Sequence, residues 1–242
     1  MVEAILLAGG LGTRLYSVTR DNYPKCLAKV NGVPFLHYIL WNFRNQGVKR
    51  FVLAVSHLSD MVEQEVRHHF ADWDIDFSIE REPLGTGGAI RQALALCRSE
   101  HVIVANADSF IEFSLLKFVH EMRENESELG LVCTEVDDLS RFGAANIEQG
   151  KLIGFSEKGK SGKGFINAGI YWLNTSNDAF LGQPERFSFE KNVLANRELH
   201  INVFKTKGLF FDIGTPGDFA GAQRLVDLNK GLFSTSPKIV EE

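Results

Sequence analysis

The 242-residue chain carries 26 basic and 31 acidic side chains, for a net charge of −5, with 44% apolar residues. That balance argues against a nucleic-acid or anionic-membrane surface built on bulk charge, and the apolar content suffices to bury roughly 70–75% of the unfolded surface without staples. Cys26, Cys97 and Cys133 are odd in number and lack CxxC spacing, which fits a reducing compartment and neither a disulfide framework nor a zinc site. No run of ~18 apolar residues is present. The short apolar run at 4–8 follows Glu3 and has no basic flank, so the expectation is a cytoplasmic protein without leader or membrane span.

Apolar runs alternate with stretches of helical period. "EAILLA" (3–8) predicts a buried strand, and "PFLHYILWNFRNQGV" an amphipathic helix ending at Gly47. "RFVLAVS" predicts a second strand, followed by a helix over 59–70. "DIDFSIE" and "HVIVANAD" predict the third and fourth strands, with the helix "GGAIRQALALC" between them and another over 114–125. Strand and helix in alternation predict an α/β protein: a Rossmann-like, doubly wound sheet with helices on both faces. After Glu128 the texture changes. "LGLVCTEV", "ANIEQGKLIGFSEKG" and "GFINAGIYWLN" read as strands joined by short turns, an antiparallel extension that makes the sheet mixed. Helices are expected over 175–181, 188–196 and 216–230, and strands at 200–206 and 210–214. Residues 1–230 read as one catalytic domain and 231–242 as a loose C-terminal tail.

Ligands of open α/β sheets sit beyond the carboxyl ends of the strands. "AGGLGTR", "EREPLGTGG", "NADS" and "FDIGTP" all fall at such ends. The first lets backbone amides of Ala8, Gly9, Gly10, Gly12 and Thr13 approach phosphate oxygens. It matches neither common phosphate fingerprint: GxGxxG from Gly10 meets Leu15, and a Walker A loop from Gly9 meets Arg14 where glycine is needed. A tight turn for strand–helix packing is the alternative. Arg14 favours phosphate, because a guanidinium fork suits a polyphosphate leaving group. Lys25 follows Pro24 and adds a second cation; alone it would read as a solvated lysine. Asp108 and Asp212 each end a strand, and paired carboxylates with phosphate oxygens suit Mg²⁺. Asp108 or Ser109 could instead cap the next helix. Along a strand, Glu157 and Lys158 point to opposite faces and reach one ligand only at a bend, which Gly159 allows. An exposed hairpin end is the alternative there. Lysines among glycines at 158–164 suggest a surface loop over that site.

Taken in order, "LAGGLGTRL", "PK", "EPLGTGGA", Asp108, "SEK", "NAGIY" and "DIGTP" resemble the sugar-1-phosphate nucleotidyltransferase family, over 8–216. Length and wording are most similar to short bacterial guanylyltransferases of D-glycero-α-D-manno-heptose 1-phosphate. The resemblance implies a Mg²⁺-dependent transfer of a nucleoside monophosphate, GMP from GTP favoured, to a sugar 1-phosphate, with release of pyrophosphate. It makes Asp108 and Asp212 the metal ligands, and Arg14, Lys25 and Asp108 the catalytic groups. The nucleotide would lie on the glycine loop, Glu80, Pro83, Gly85, Thr86 and Gly87. Lys158 would bind the sugar phosphate and Glu157 the hydroxyls, with Gly143, Asn167 and Gly169 lining the same pocket. The family usually carries glycine where Ala107 stands before Asp108. Glu80, where many thymidylyl and uridylyl relatives carry glutamine, suits the adjacent N1–H and N2–H₂ donors of guanine. A different base or sugar, or a catalytically silent nucleotide-sugar sensor on the same fold, are the alternatives. An oxidoreductase is disfavoured by the failed glycine spacing. Neither nucleic acid nor membrane is an expected partner, and a homo-oligomer is compatible with everything read so far.

Overall fold

The computed structural model describes residues 2–10, 12–15, 23–157, 159, 161–180 and 182–233. β1 (Glu3–Leu7) forms where Ala4, Ile5 and Leu6 are all fully buried, as in a strand covered on both faces. A short hairpin follows, β2 (Lys29–Val30) and β3 (Val33–Pro34). Then come α1 (Phe35–Asn45), β4 (Arg50–Val55), α2 (Ser59–His69), β5 (Asp74–Ile79), α3 (Gly85–Leu94) and β6 (His101–Asn106). β1 pairs in parallel with β4 and β6, and β4 with β5. The chain fills one side of β1 out to β5, then returns to the other side as β6. The strand order therefore reverses between β1 and β6, which is where an open α/β sheet opens a ligand crevice.

The second half contains β7 (Ser109–Ile111), α4 (Leu115–Glu124), β8 (Leu129–Val136), β9 (Ala145–Glu148) and β10 (Lys151–Phe155). It continues with β11 (Gly164–Asn174), β12 (Asn202–Thr206), β13 (Phe210–Asp212) and α5 (Pro216–Leu228). β11 lies antiparallel to both β6 and β8, joining the halves into one nine-stranded mixed sheet of order β5-β4-β1-β6-β11-β8-β12-β10-β9. The predicted α/β fold with its antiparallel extension is the fold observed.

Two apolar layers sandwich this sheet. Ala4, Leu6, Leu53 and Ile103 face α1, α2, α4 and α5, whereas Ile5, Val52 and Val104 face α3 together with Phe180 and Phe189. Each fully buried large side chain of this kind contributes roughly 1.5–3 kcal/mol. Cys26, Cys97 and Cys133 are free, and burial pushes each thiol up to about 12, so none is a nucleophile at neutral pH. No helix among the described residues is long and apolar enough to cross a membrane.

Three expectations are revised. The helix expected over 175–181 is a short 3₁₀ turn, Asp178–Phe180. Side-chain oxygens of Asn174 and Asn177 accept from the backbone N–H of Ser176 and Ala179, an alternative to helical bonding. The helix expected over 188–196 is a π-turn, Glu190–Leu194, with Asn192 Oδ1 accepting from Ser188 N–H. The strand β7 was not expected. It pairs antiparallel with β13, placing Asp212 opposite Ser109. The expected tail beyond 233 lies outside the described residues.

Candidate active site

The glycine loop leaves β1 at the reversal point. Ala8 N–H donates to the Ala54 carbonyl at 2.8 Å, and Ser56 Oγ–H to the Gly9 carbonyl at 2.8 Å. Both bonds tie the loop to the end of β4. A side chain at Gly9 would stand 2.9 Å from Glu80 Oε1, so the loop lies against that carboxylate. Gly12 has φ +61°, and a Cβ there would strike Lys25 Cβ at 2.8 Å. Only glycine suits both demands. A 3₁₀ turn, Thr13–Leu15, closes with Leu15 N–H on the Gly12 carbonyl and leaves Arg14 exposed.

A cavity of about 250 Å³ opens beyond the loop, lined among others by Gly9, Gly10, Glu80, Pro83, Gly85 and Thr86. Glu80 follows β5 and uses Oε2 to accept Leu84 N–H at 2.8 Å, while burial raises its pKa against that bond. Gly87 is placed differently. It is buried, its N–H donates to the Phe187 carbonyl, and a Cβ would overlap the Phe187 ring. Its smallness serves packing, and Ala8 is likewise buried behind the loop. The Thr86 hydroxyl is engaged too, accepting from Phe189 N–H and donating to Glu190 Oε2 at 2.6 Å.

The acidic pair is assembled by the small β7–β13 ladder. Ile213 N–H donates to the Asp108 carbonyl at 3.0 Å, which brings two positions about a hundred residues apart side by side. Asp108 caps no helix, because β7 follows it and α4 is capped by Ser114 Oγ accepting from Lys117 N–H. Its Oδ2 pairs with the buried Lys25 ammonium at 2.6 Å. Asp212 accepts Gly214 N–H at 2.6 Å. Burial nevertheless raises its pKa, and the charges of Asp218 and Asp108 add to that rise. Asp218 itself pairs with Arg141 and accepts from Thr215 Oγ–H at 2.7 Å.

These residues line a second cavity of about 390 Å³, together with Arg14, Lys25, Asn167, Gly169 and Tyr171. β11 bulges between Asn167 and Tyr171. Within the bulge Asn167 Oδ1 accepts Gly169 N–H at 2.7 Å and its Nδ2 donates to Tyr171 Oη at 3.0 Å. A bulge beside a cavity re-aims side chains into it. Gly169 (φ +74°) lies so near Asn106 that a Cβ would stand 2.6 Å from Asn106 Nδ2. The structure therefore brings Arg14, Lys25, Asp108, Asn167, Gly169 and Asp212 to one cavity. Gly143 packs toward the Ser156 carbonyl, and Glu157 is exposed outside the cavity wall. Lys158 lies outside the described residues.

Asn106, Arg141, Asp218 and Glu190 were missed by the motif reading. For Asp218 a signal existed: "TPGD" has the spacing of a helix-capping box, with Thr215 at the cap of α5. For Glu190 there was none, since "FSFEKN" reads as ordinary helix.

The nucleotidyl transferase family matches residues 3–227. The chain is 38% identical over 220 residues to the D-glycero-α-D-manno-heptose 1-phosphate guanylyltransferase of Campylobacter jejuni, covering 90% of this chain and 97% of that one. It is 35% identical over 225 residues to the protein of the same name from Aneurinibacillus thermoaerophilus, covering 92% and 97%. Among solved structures, HddC from Yersinia pseudotuberculosis complexed with GMP-PN superposes with a TM-score of 0.84 at 36% identity, covering 93% and 99%. Matched by the family over 3–227 and by relatives along nearly their whole length, the chain belongs to the nucleotidyl transferase family.

Proposed function

We propose that the protein is a sugar-1-phosphate guanylyltransferase that transfers GMP from GTP to D-glycero-α-D-manno-heptose 1-phosphate and releases pyrophosphate. The observation that carries this reading is the meeting of two cavities at Asn106, Asp108 and Glu190. One is bounded by the glycine loop and Glu80, and the other by Arg14, Lys25 and the acidic pair. Near-full-length relatives with that name supply the choice of substrates.

In this reading a sugar-phosphate oxygen attacks the α-phosphorus in line, a new P–O bond forms, and the α–β bridging bond breaks. The attacking phosphate is already ionised, so no protein nucleophile or general base is required. Catalysis rests on positioning and charge neutralisation. Arg14 would hold the departing pyrophosphate by a bidentate fork. Lys25, buried and anchored on Asp108, would present its charge at a fixed place. Asp108 and Asp212 would hold Mg²⁺, which neutralises phosphate charge when bound. The residues fit that ion: Asp212 is half-buried and faces like charges, a condition that a divalent cation relieves. Among the described residues no group of three or more His, Cys, Asp or Glu forms a closed metal cage, and Mg²⁺ needs only one or two carboxylates. Glu80, half-buried at the cavity with one oxygen fixed by Leu84, would accept the paired donors of guanine and repel the carbonyls of uracil. Free thiols support a cytoplasmic setting.

The test is pyrophosphate release from each of four NTPs against a panel of sugar 1-phosphates. GTP with the heptose 1-phosphate should be fastest. Preference for UTP would overturn the guanine reading, and no release with any pair would overturn the enzyme reading.

A further inference from the structure

Glu190 stands where the two cavities join, on a π-turn that widens the backbone just after Phe189. Its carboxylate is held from one side only. Oε2 accepts from Thr86 Oγ–H at 2.6 Å and from Ser188 Oγ–H at 2.9 Å, and Thr86 Oγ in turn accepts Phe189 N–H at 2.9 Å. This relay runs from backbone amide through hydroxyl to carboxylate, and each bond polarises the next. It fixes the side chain between α3 and the π-turn. Among the described residues Oε1 has no hydrogen-bond partner and Glu190 has no ion pair, although Asp108, on the same junction, is paired with Lys25.

A fixed, half-buried carboxylate with a free oxygen accepts hydrogen bonds and donates none. It repels phosphate, so the polyphosphate belongs on the Arg14 and Lys25 side. In the reading above, the guanine donors would be taken by Glu80, on the lining of the first cavity. What remains for the junction is a neutral donor. We propose that Glu190 is a specificity residue whose Oε1 accepts ligand hydroxyls at the junction. These are offered either by the ribose of the nucleotide or by the ring of the sugar phosphate. The proposal rests on the guanylyltransferase reading above and adds to it a residue that binds hydroxyls.

The test measures kcat/KM by pyrophosphate release for the wild type, Glu190→Gln and Glu190→Asp. Each enzyme receives GTP, 2′-deoxy-GTP and 3′-deoxy-GTP with the normal sugar phosphate, then GTP with sugar 1-phosphates lacking one hydroxyl at a time. For the wild type, at least one deoxy analogue should cost about 10-fold or more, the scale of a hydrogen bond to a charged acceptor. For Glu190→Gln the same analogue should cost less than about 3-fold, and the loss with the normal ligand should fall on the KM of that ligand. Glu190→Asp retains the charge but not the reach, and should lose the same discrimination. This keeps the test decisive if the glutamine variant melts early. A nucleotide analogue showing the effect assigns the contact to ribose, and a sugar analogue to the second substrate. Equal penalties in wild type and variants would reduce Glu190 to a staple between α3 and the π-turn and overturn the proposal. Indifference of the wild type to every analogue would do the same. A wild type inert with GTP and all sugar phosphates would instead sink the underlying reading.

Discussion

Arg50, at the start of β4, donates to Asp74 and Asp76 of β5 and to the Leu96 carbonyl, with Glu3 of β1 beside it. Glu3 in turn accepts Arg98 N–H at 2.9 Å. Opposite charges meet and are bonded at this amino edge of the parallel strands. At the carboxyl edge Asp108 and Asp218 are paired with Lys25 and Arg141, but Asp212 lies beside both acids without an ion pair among the described residues, burial raises its pKa, and Arg14 stands exposed. One edge uses charge to fasten strands. The other keeps charge in tension, and that tension is what a polyanionic ligand with its counter-ion would relieve. Changes at the two edges should thus affect different observables.

The largest effect is expected at the acidic pair. Asp108→Asn or Asp212→Asn should lower kcat by on the order of 10²–10³-fold or more, with circular dichroism unchanged. Wild-type rates in either variant would remove that residue from the site. Next comes Arg14→Ala, which should lower kcat more than it raises KM for the NTP, with Arg14→Lys a poor rescue because an ammonium makes no fork. An effect on KM alone would make Arg14 a ground-state binder. A smaller effect is expected for Glu80→Gln: the GTP-to-UTP ratio should fall by about 1–3 kcal/mol, the scale of an unsatisfied buried donor. An unchanged ratio would hand base reading to other groups.

The smallest effect concerns stability away from both edges. His37, on α1, is buried, and burial, with His69 adding to it, lowers its pKa to about 4. Glu65 Oε1 lies 3.1 Å from His37 Nε2 but off the hydrogen-bond direction. Because the folded value is below the unfolded one, the unfolded chain binds the extra proton first, so stability is lost as pH falls from about 6.5 toward 4. Between pH 7 and 5 this amounts to about 1–2 kcal/mol. Urea denaturation of wild type and His37→Gln at both pH values measures it. An equal loss in both proteins would clear His37 of the effect.

The carboxyl edge was largely legible in sequence because its motifs are local: each strand end carries its own glycines or acid. β8 and β11 coincide with the predicted runs at 129–136 and 164–174, since long apolar strands between polar turns leave little ambiguity. β7 was invisible because "SFI" is too short for any periodicity, and its partner lies about a hundred residues away. The hairpin of β2 and β3 did carry a signal, Asn31-Gly32 with φ of +49° and +82°, the dipeptide favoured in tight hairpin turns. Arg141 and Glu190 reach the site through tertiary pairing alone, with Asp218 and Thr86 respectively. No spacing in the chain announces such pairs.

The contrast between the edges is tested most directly by measuring kcat and Tm side by side for Asp212→Asn and Arg50→Met. Asp212→Asn should lose nearly all turnover while its Tm stays level or rises, because a half-buried like charge has been removed. Arg50→Met should lose about 1–3 kcal/mol of stability, the scale of hydrogen bonds between a buried guanidinium and half-exposed carboxylates, yet keep its kcat at temperatures well below its Tm. An Asp212→Asn enzyme that turns over normally, or an Arg50→Met enzyme that is folded and inactive, would contradict the account.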